Sequence, residues 1–287
     1  MLSALVSEIV LIDSNRALAE AEAADIADAN ALARPVRIWA GTYADAAGAS
    51  IAILTAGAAT HGTESRLSVL SRSAAIIEAC TESLVKAGFA GTILVAANPV
   101  DVMAHVAFAK SGLPAHHVIG TGTLLDSSRL RQTLAARFDV APAAVTGLVL
   151  GEHGDSEVAA FSSVRIGGLA LDDFAKPQSP LDTDAVAKAV REAGYRILSG
   201  KGYTSFGVAT AIVRICEAII RNERTVLPVS TLMTGAFGIE GVYLSLPCIL
   251  GAGGVERVLE PDLSASERAS LAHSADVIRE AIAQLRA

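Results

Sequence analysis

Cysteine is scarce in this chain, basic clusters are missing, and no apolar run reaches the length of a membrane span. The cysteines are Cys80, Cys216 and Cys248, far apart and in apolar or helical contexts, with no C-x-x-C pair and no metal-ligand spacing. A disulfide framework is excluded, no metal is expected, and a reducing compartment, the cytoplasm, is the expected location. Mean hydropathy is positive, yet charges, Gly or Pro break every apolar stretch before the ~18–20 residues a spanning helix requires. Met1–Leu5 also lacks the charged start of a signal peptide. The net charge of −7, with no Lys/Arg block to reverse it locally, opposes nucleic acid and anionic membrane as partners. What is present is 287 residues, 52% hydrophobic and 18% charged, ample for a packed core.

Short apolar runs alternate with longer amphipathic stretches in the first half. EIVLID (8–13), VRIWA (36–40), SIAILTA (50–56), TILVAA (92–97) and HVIG (117–120) read as strands. Their continuous apolar character, without alternation, suits a parallel sheet covered on both faces. Helical spacing predicts helices over Arg16–Ala31, Ser65–Ala87 and Val100–Ser111, which makes this half an open α/β sheet. From about Gly122 the pattern changes. A helix over Leu125–Phe138 precedes the strand VTGLVLG (145–151), the turn EHGD and a strand SSVRIGG. Helices over Asp182–Leu198 and Thr204–Asn222, strands TVLPVSTL (225–232) and VYLSLPCIL (242–250), and a closing helix Ser264–Arg286 complete a mixed α/β domain. The predicted division is 1–121 and 122–287.

EIVLID ends in Asp13, as the second strand of a dinucleotide-binding unit ends in an acid that bonds the adenosine ribose. The glycine-rich G-x-G-x-x-G turn of such a unit belongs roughly 20 residues upstream. Seven residues precede Glu8. The expectation is therefore a doubly wound parallel sheet, Rossmann-type, with its first strand and glycine turn missing.

Four segments can carry chemistry. In GLVLGEHGDSEV, His153 follows a buried strand between flexible glycines, a placement that presents an imidazole to a ligand, although for a lone His a plain polar turn is the commoner reading. In GTLLDSSRLR, Asp126 and Arg129 share one face of a helical turn. They form either a surface ion pair or a carboxylate for orienting His and a planar fork for a substrate acid. In VAANPVDV, Asn98 follows a strand, where open α/β sheets bind ligands and where helix caps also occur. In TAGAATHGTESRLSVL, a Gly-flanked loop leads to Arg66 in a helix's first turn, where the helix dipole disfavours a cation.

Taken in order, TAGA…ESRL, ANPVD, LDSSR, LGEHGD, KGYTS and LSLPCILGAGGVERVLEP resemble the L-lactate/L-malate dehydrogenase family from about Glu8 to the C-terminus, the lactate branch above all. The resemblance implies an NAD-dependent oxidoreductase moving a hydride between the cofactor and a small 2-hydroxy/2-oxo acid, L-lactate/pyruvate first, beside glycolysis. It gives His153 the role of general acid and base, Asp126 that of holding its ring, and Arg129 that of clamping the substrate carboxylate. Arg66 would stabilise charge on the carbonyl oxygen. Asn98 would touch substrate and nicotinamide, and Thr204 would line the pocket. Gly57 and Ala58 would approach the cofactor. Asp13 would bind the ribose and select NAD over NADP.

Thr60 stands where lactate dehydrogenases place Gln and malate dehydrogenases Arg, so the resemblance also implies room for oxo acids bulkier than pyruvate. Malate remains the alternative substrate. Arg131 matches a residue that binds fructose 1,6-bisphosphate in some bacterial members, but Thr146 replaces its partner His. The partners implied are the small acid and further copies of the chain, as a homotetramer. In the family's sheet order 3-2-1-4-5-6 the absent strand would lie between EIVLID and SIAILTA. That leaves two expectations, a start recorded too far downstream or a non-catalytic relic acting through subunit interfaces.

Overall fold

The structure, a computed structural model, describes residues 3–58, 66–175 and 181–286; for Arg66, Leu67 and Arg286 it describes the backbone. The chain begins with strand β1 (Glu8–Leu11), helix α1 (Arg16–Asp28) and strand β2 (Arg37–Ala40). β1 and β2 pair in parallel from Glu8↔Arg37 to Leu11↔Ala40. Asn15 caps α1, its side chain accepting from the Leu18 amide at 3.2 Å and so satisfying one of the unpaired amides of the first turn. Then follow β3 (Ile51–Leu54), α2 (Arg66–Lys86), β4 (Thr92–Val95), α3 (Val100–Ser111) and β5 (Val118–Gly120).

The expectation that the sheet has lost its first strand is corrected by β1. The run Glu8–Leu11 forms the first strand of the chain and pairs in a two-stranded parallel ladder with β2. Two β-branched residues, Ile9 and Val10, favour the extended backbone, and Arg37–Ala40 supplies a matching partner. The fold is a Rossmann-type α/β arrangement in which the opening strand is present.

The second half comprises α4 (Leu124–Phe138), β6 (Val145–Leu150), β7 (Val158–Ile166), β8 (Leu169–Ala170), α5 (Leu171–Ala175), α6 (Thr183–Arg191), α7 (Ala193–Lys201) and α8 (Phe206–Ile220). It ends with β9 (Thr225–Thr234), β10 (Glu240–Gly251), β11 (Gly254–Val258) and α9 (Ala265–Arg286). The helix expected over Asp182–Leu198 is two helices. Glu192 closes α6, its amide donating to the carbonyls of Lys188 and Val190, and the chain restarts at Ala193.

The central sheet has the order β11-β10-β9-β5-β4-β3, so strands from both halves of the sequence share it. β3, β4 and β5 run parallel, β9 meets β5 antiparallel at Gly120↔Ser230, and β10 and β11 continue antiparallel. β6, β7 and β8 form a separate antiparallel sheet, bridged to β10 at Gly151↔Ser245. The largest core cluster draws on α2, β4, α3, β10 and α9, including Ile77, Ile93, Met103, Leu246 and Leu271. A second joins Leu94 and Ile119 to α8 through Ile215 and Ile219. A third packs α4 on β6 and β7 through Leu130, Leu134, Val149 and Val164. Among the described residues no helix is long and apolar enough to cross a membrane.

Candidate active site

β6 delivers the turn that carries His153. Gly151 has φ +87, a conformation costly for other residues, and an added Cβ there would stand 2.6 Å from the Ser274 hydroxyl. Its amide and carbonyl bond to Ser245 of β10, and the next amide, Glu152, donates to Ser274 Oγ of α9 at 2.7 Å. The turn is thus pinned from two sides before it reaches the imidazole. The His153 amide then donates to Asp101 Oδ2 at 2.8 Å. Asp101 sits in the first turn of α3, is 1% exposed, and also accepts from Ser230 Oγ of β9 at 2.6 Å. Burial pushes its carboxyl up to about 6, and those two donors moderate the rise.

Asp126, in the first turn of α4, is the buried hub. One carboxylate oxygen meets His153 Nδ1 at 2.6 Å, and the other accepts from Arg129 Nη1 at 2.8 Å. Its side chain is 2% exposed, against 17% for Arg129 and 27% for His153. Burial alone would raise the Asp126 carboxyl, but the bond to His153 and the nearby cations outweigh it and hold the group below its ordinary value. Burial likewise opposes charge on His153, and the Asp126 hydrogen bond and charge reverse this, lifting the imidazole to about 9. At neutral pH the site therefore holds an imidazolium. With Nδ1 occupied, Nε2 is the nitrogen left to give up a proton.

Arg129 directs its guanidinium toward α7. A Cβ added at Gly194 would lie 3.8 Å from both Nη1 and Nη2, so a residue without a side chain faces the fork. Tyr195 of the same helix donates from its hydroxyl to Asp155 at 3.0 Å, tying α7 to the EHGD turn. The Asp126–Arg129 pair is thus no solvated surface pair, and His153 does not belong to a plain polar turn.

None of the remaining expected site residues that the structure describes is hydrogen-bonded into this cluster. Asn98 is exposed, lies three residues beyond the end of β4, and is joined to Pro99 by a cis peptide bond. Thr204 is exposed just before α8. Neither is hydrogen-bonded to the Asp126, His153 and Arg129 set among the described residues. Arg66 opens α2, with its side chain outside the described residues, and Thr60 falls wholly outside them. Asp13 is exposed two residues after β1, with Oδ1 accepting from the Asn15 amide at 2.7 Å. Gly57 is exposed beyond β3, and the Ala58 amide donates to Ser73 Oγ at 3.2 Å. Asp13, Gly57 and Asn98 all follow the carboxyl ends of parallel strands, the edge at which open α/β sheets bind ligands. A free carboxylate oxygen on Asp13 and an uncrowded Gly57 suit a ribose and the cofactor chain.

Two buried acids were missed by the sequence reading. Asp101 lay within the quoted ANPVD motif but gave no sign that it would hold the His153 backbone 52 residues away. Glu157, 7% exposed, follows the EHGD turn; an acid two residues beyond such a turn was the available signal.

Comparison with known proteins matches this arrangement. Residues 1–120 match the lactate/malate dehydrogenase NAD binding domain, and residues 123–287 the lactate/malate dehydrogenase alpha/beta C-terminal domain. An L-lactate dehydrogenase of Moorella thermoacetica is 43% identical over 290 residues, covering 99% of this chain and 92% of its own. One from Thermus aquaticus is 42% identical over 289 residues, covering 99% and 93%. Among solved structures, a minor L-lactate dehydrogenase from Enterococcus mundtii in its ligands-bound form superposes with TM-score 0.94 at 36% identity, over 96% of this chain and 90% of that one. A lactate dehydrogenase enzyme from a Medee basin deep-sea metagenome library gives 0.97 at 36% identity, over 100% and 93%. Relatives this similar across nearly the whole chain, with a buried Asp126 joining His153 to Arg129, place the protein in the lactate/malate dehydrogenase family, as an NAD-dependent oxidoreductase acting on a small 2-hydroxy/2-oxo acid, with its opening strand β1 present.

Proposed function

We propose that the acid is L-lactate, with pyruvate as its oxidised form, and that His153, Asp126 and Arg129 carry the chemistry. The observation that supports this reading is the single buried carboxylate of Asp126, bonded through one oxygen to His153 and through the other to Arg129. Arg129 presents its remaining donors to the substrate carboxylate as a planar fork, which a Lys could not reproduce. His153 gives the Nε2 proton to the carbonyl oxygen as reduction proceeds, and takes one from the alcohol in reverse. Asp126 keeps the imidazole in the tautomer and orientation this needs. When bound, the reduced nicotinamide supplies the hydride.

Asp13, Gly57, Ala58 and Asn98 would hold the cofactor, with Asn98 and Thr204 also touching substrate. Arg66 would reach the carbonyl oxygen from the start of α2, and Thr60 would face the substrate side chain. The proposed division of labour is residues 1–121 for the dinucleotide and 122–287 for the acid. A homotetramer in the cytoplasm completes the reading.

The test is the initial rate of NADH oxidation by the purified chain with pyruvate, 2-oxobutyrate, 2-oxoisocaproate and oxaloacetate. Pyruvate or a bulkier monoacid is expected to exceed oxaloacetate at least tenfold in kcat/KM, since Thr60 offers no cation to a second carboxylate. Preference for oxaloacetate would overturn the lactate assignment and leave the family standing.

A further inference from the structure

A second carboxylate enters the buried space around His153. Glu157 lies immediately before β7, its amide donating to the Gly154 carbonyl at 3.2 Å. It is 7% exposed, and Asp126 is 1% exposed. Ligand-type atoms of Asp126, His153 and Glu157 all lie within 4.8 Å of one another. Two carboxylates so close together and so far from water cannot both be ionised without a large cost. Asp126 is already committed by its bonds to Arg129 and His153. The proton that relieves the repulsion therefore belongs on Glu157.

The charged groups facing Glu157 are Asp126 and Arg129 of α4, His153 of the turn and Arg191 of α6. Burial, and then the Asp126 charge, prevail over the three cations and push Glu157 up to about 8. At neutral pH the cluster thus holds two protons, one on His153 and one on Glu157.

We propose that Glu157 is a positioning residue that keeps a second proton beside His153, and that the site accepts the oxo acid only while both protons are in place. This rests on the roles proposed above for His153 and Arg129. In that scheme Asp126 balances the imidazolium, and Arg129 balances the incoming carboxylate. An ionised Glu157 would be a further negative charge in the same desolvated space, repelling the substrate anion. The Glu157 proton is not consumed; the proton transferred to the carbonyl oxygen is that of His153.

The experiment is the pH profile of log kcat/KM for pyruvate reduction from about pH 7 to 10, with circular dichroism confirming the folded state at each point. Each required proton contributes about a tenfold fall per pH unit once it is lost. The wild-type profile is expected to steepen from one such fall to two, Glu157→Gln to stay level until the His153 proton is lost and never to exceed one, and Glu157→Asp to regain the second. A wild-type profile that never exceeds one proton, or a Glu157→Gln variant weakened equally at every pH, overturns the inference. His153→Asn separates the two readings. Turnover retained in that variant defeats the role of His153, whereas an inactive His153→Asn beside a one-proton wild-type profile defeats Glu157 alone.

Discussion

β1 and β4 are both four-residue parallel strands of apolar sequence, EIVL and TILV, yet all four residues of β4 are buried and none of β1 is. β4 lies between β3 and β5 with α2 and α3 packed nearby, and Ile93, Leu94 and Val95 have no exposed surface. β1 has one partner, β2, and the helix between them buries only Ala19 and Ala23. The difference follows the two tasks. β4 and α3 position Asp101, which fixes the His153 backbone, and proton transfer tolerates little displacement. In the proposed scheme Asp13 beyond β1 has only to meet ribose hydroxyls at an exposed edge. A local β1–α1–β2 unit suffices for that.

The largest expected effect breaks the buried side. His153→Asn should lower kcat by about 10²–10⁴-fold, the usual contribution of a positioned acid, whereas Asp13→Ala should raise KM for NADH and leave kcat nearly intact. Steady-state kinetics over both substrates separates the two; equal loss of kcat in both variants would erase the distinction. Next in size is the core itself. Leu94→Ala should cost about 2–5 kcal/mol of unfolding free energy, and Leu11→Ala, starting from a half-buried side chain, about 1 kcal/mol. Denaturant titration checks both.

The pH dependence of stability sharpens the same contrast, because the shifted groups cluster on the buried side. His153 is raised to about 9, so its contribution is complete below the ordinary value of 6.5 and is lost as pH rises through 9. Glu157 and Asp101 are raised to about 8 and about 6, so the folded state holds their protons where the unfolded chain has released them. All three act in one direction but in successive windows: stability should fall with rising pH between 3.8 and about 6 through Asp101, between 4.5 and about 8 through Glu157 and between 6.5 and about 9 through His153, by up to ~1.4 kcal/mol per pH unit for each excess proton. Asp126 acts in the opposite sense: its lowered carboxyl contributes above 3.8, and that contribution is lost only as the pH falls toward its depressed value. In His153→Asn the alkaline decline should be shallower. A decline as steep as in the unaltered chain would assign it to other groups.

Strands were legible where apolar runs were unbroken, and the site was legible where its residues sit in quoted motifs. Asp126 and Arg129 are three residues apart on α4, and His153 lies at a glycine-flanked strand end, so local pattern sufficed. Asp101 and Glu157 were not legible as partners, because burial and charge proximity depend on how α3, α4 and the turn converge. The break at Glu192 carries no Pro, and its φ/ψ of −79 and −9 stay helical, so helical spacing continues through it. β11 reads GVERV, too polar for an apolar-run criterion, and owes its existence to pairing with β10. The opening strand was legible as a strand, but its place was misjudged by counting from a motif instead of from the partner it finds.

The smallest effect probes whether the β1–α1–β2 unit moves by itself. Asn15 caps α1 through the Leu18 amide, and Ala at that position should cost about 1 kcal/mol. If the unit opens independently of the six-stranded sheet, that cost lowers hydrogen-exchange protection in α1 and β2 and leaves β4 and α3 unchanged. If the molecule opens only as a whole, protection falls equally in both regions. The second outcome would mean that the burial contrast between β1 and β4 has no dynamic counterpart. Precise placement of Asp101 and His153 would then depend on the nucleotide edge as much as on the core beneath them.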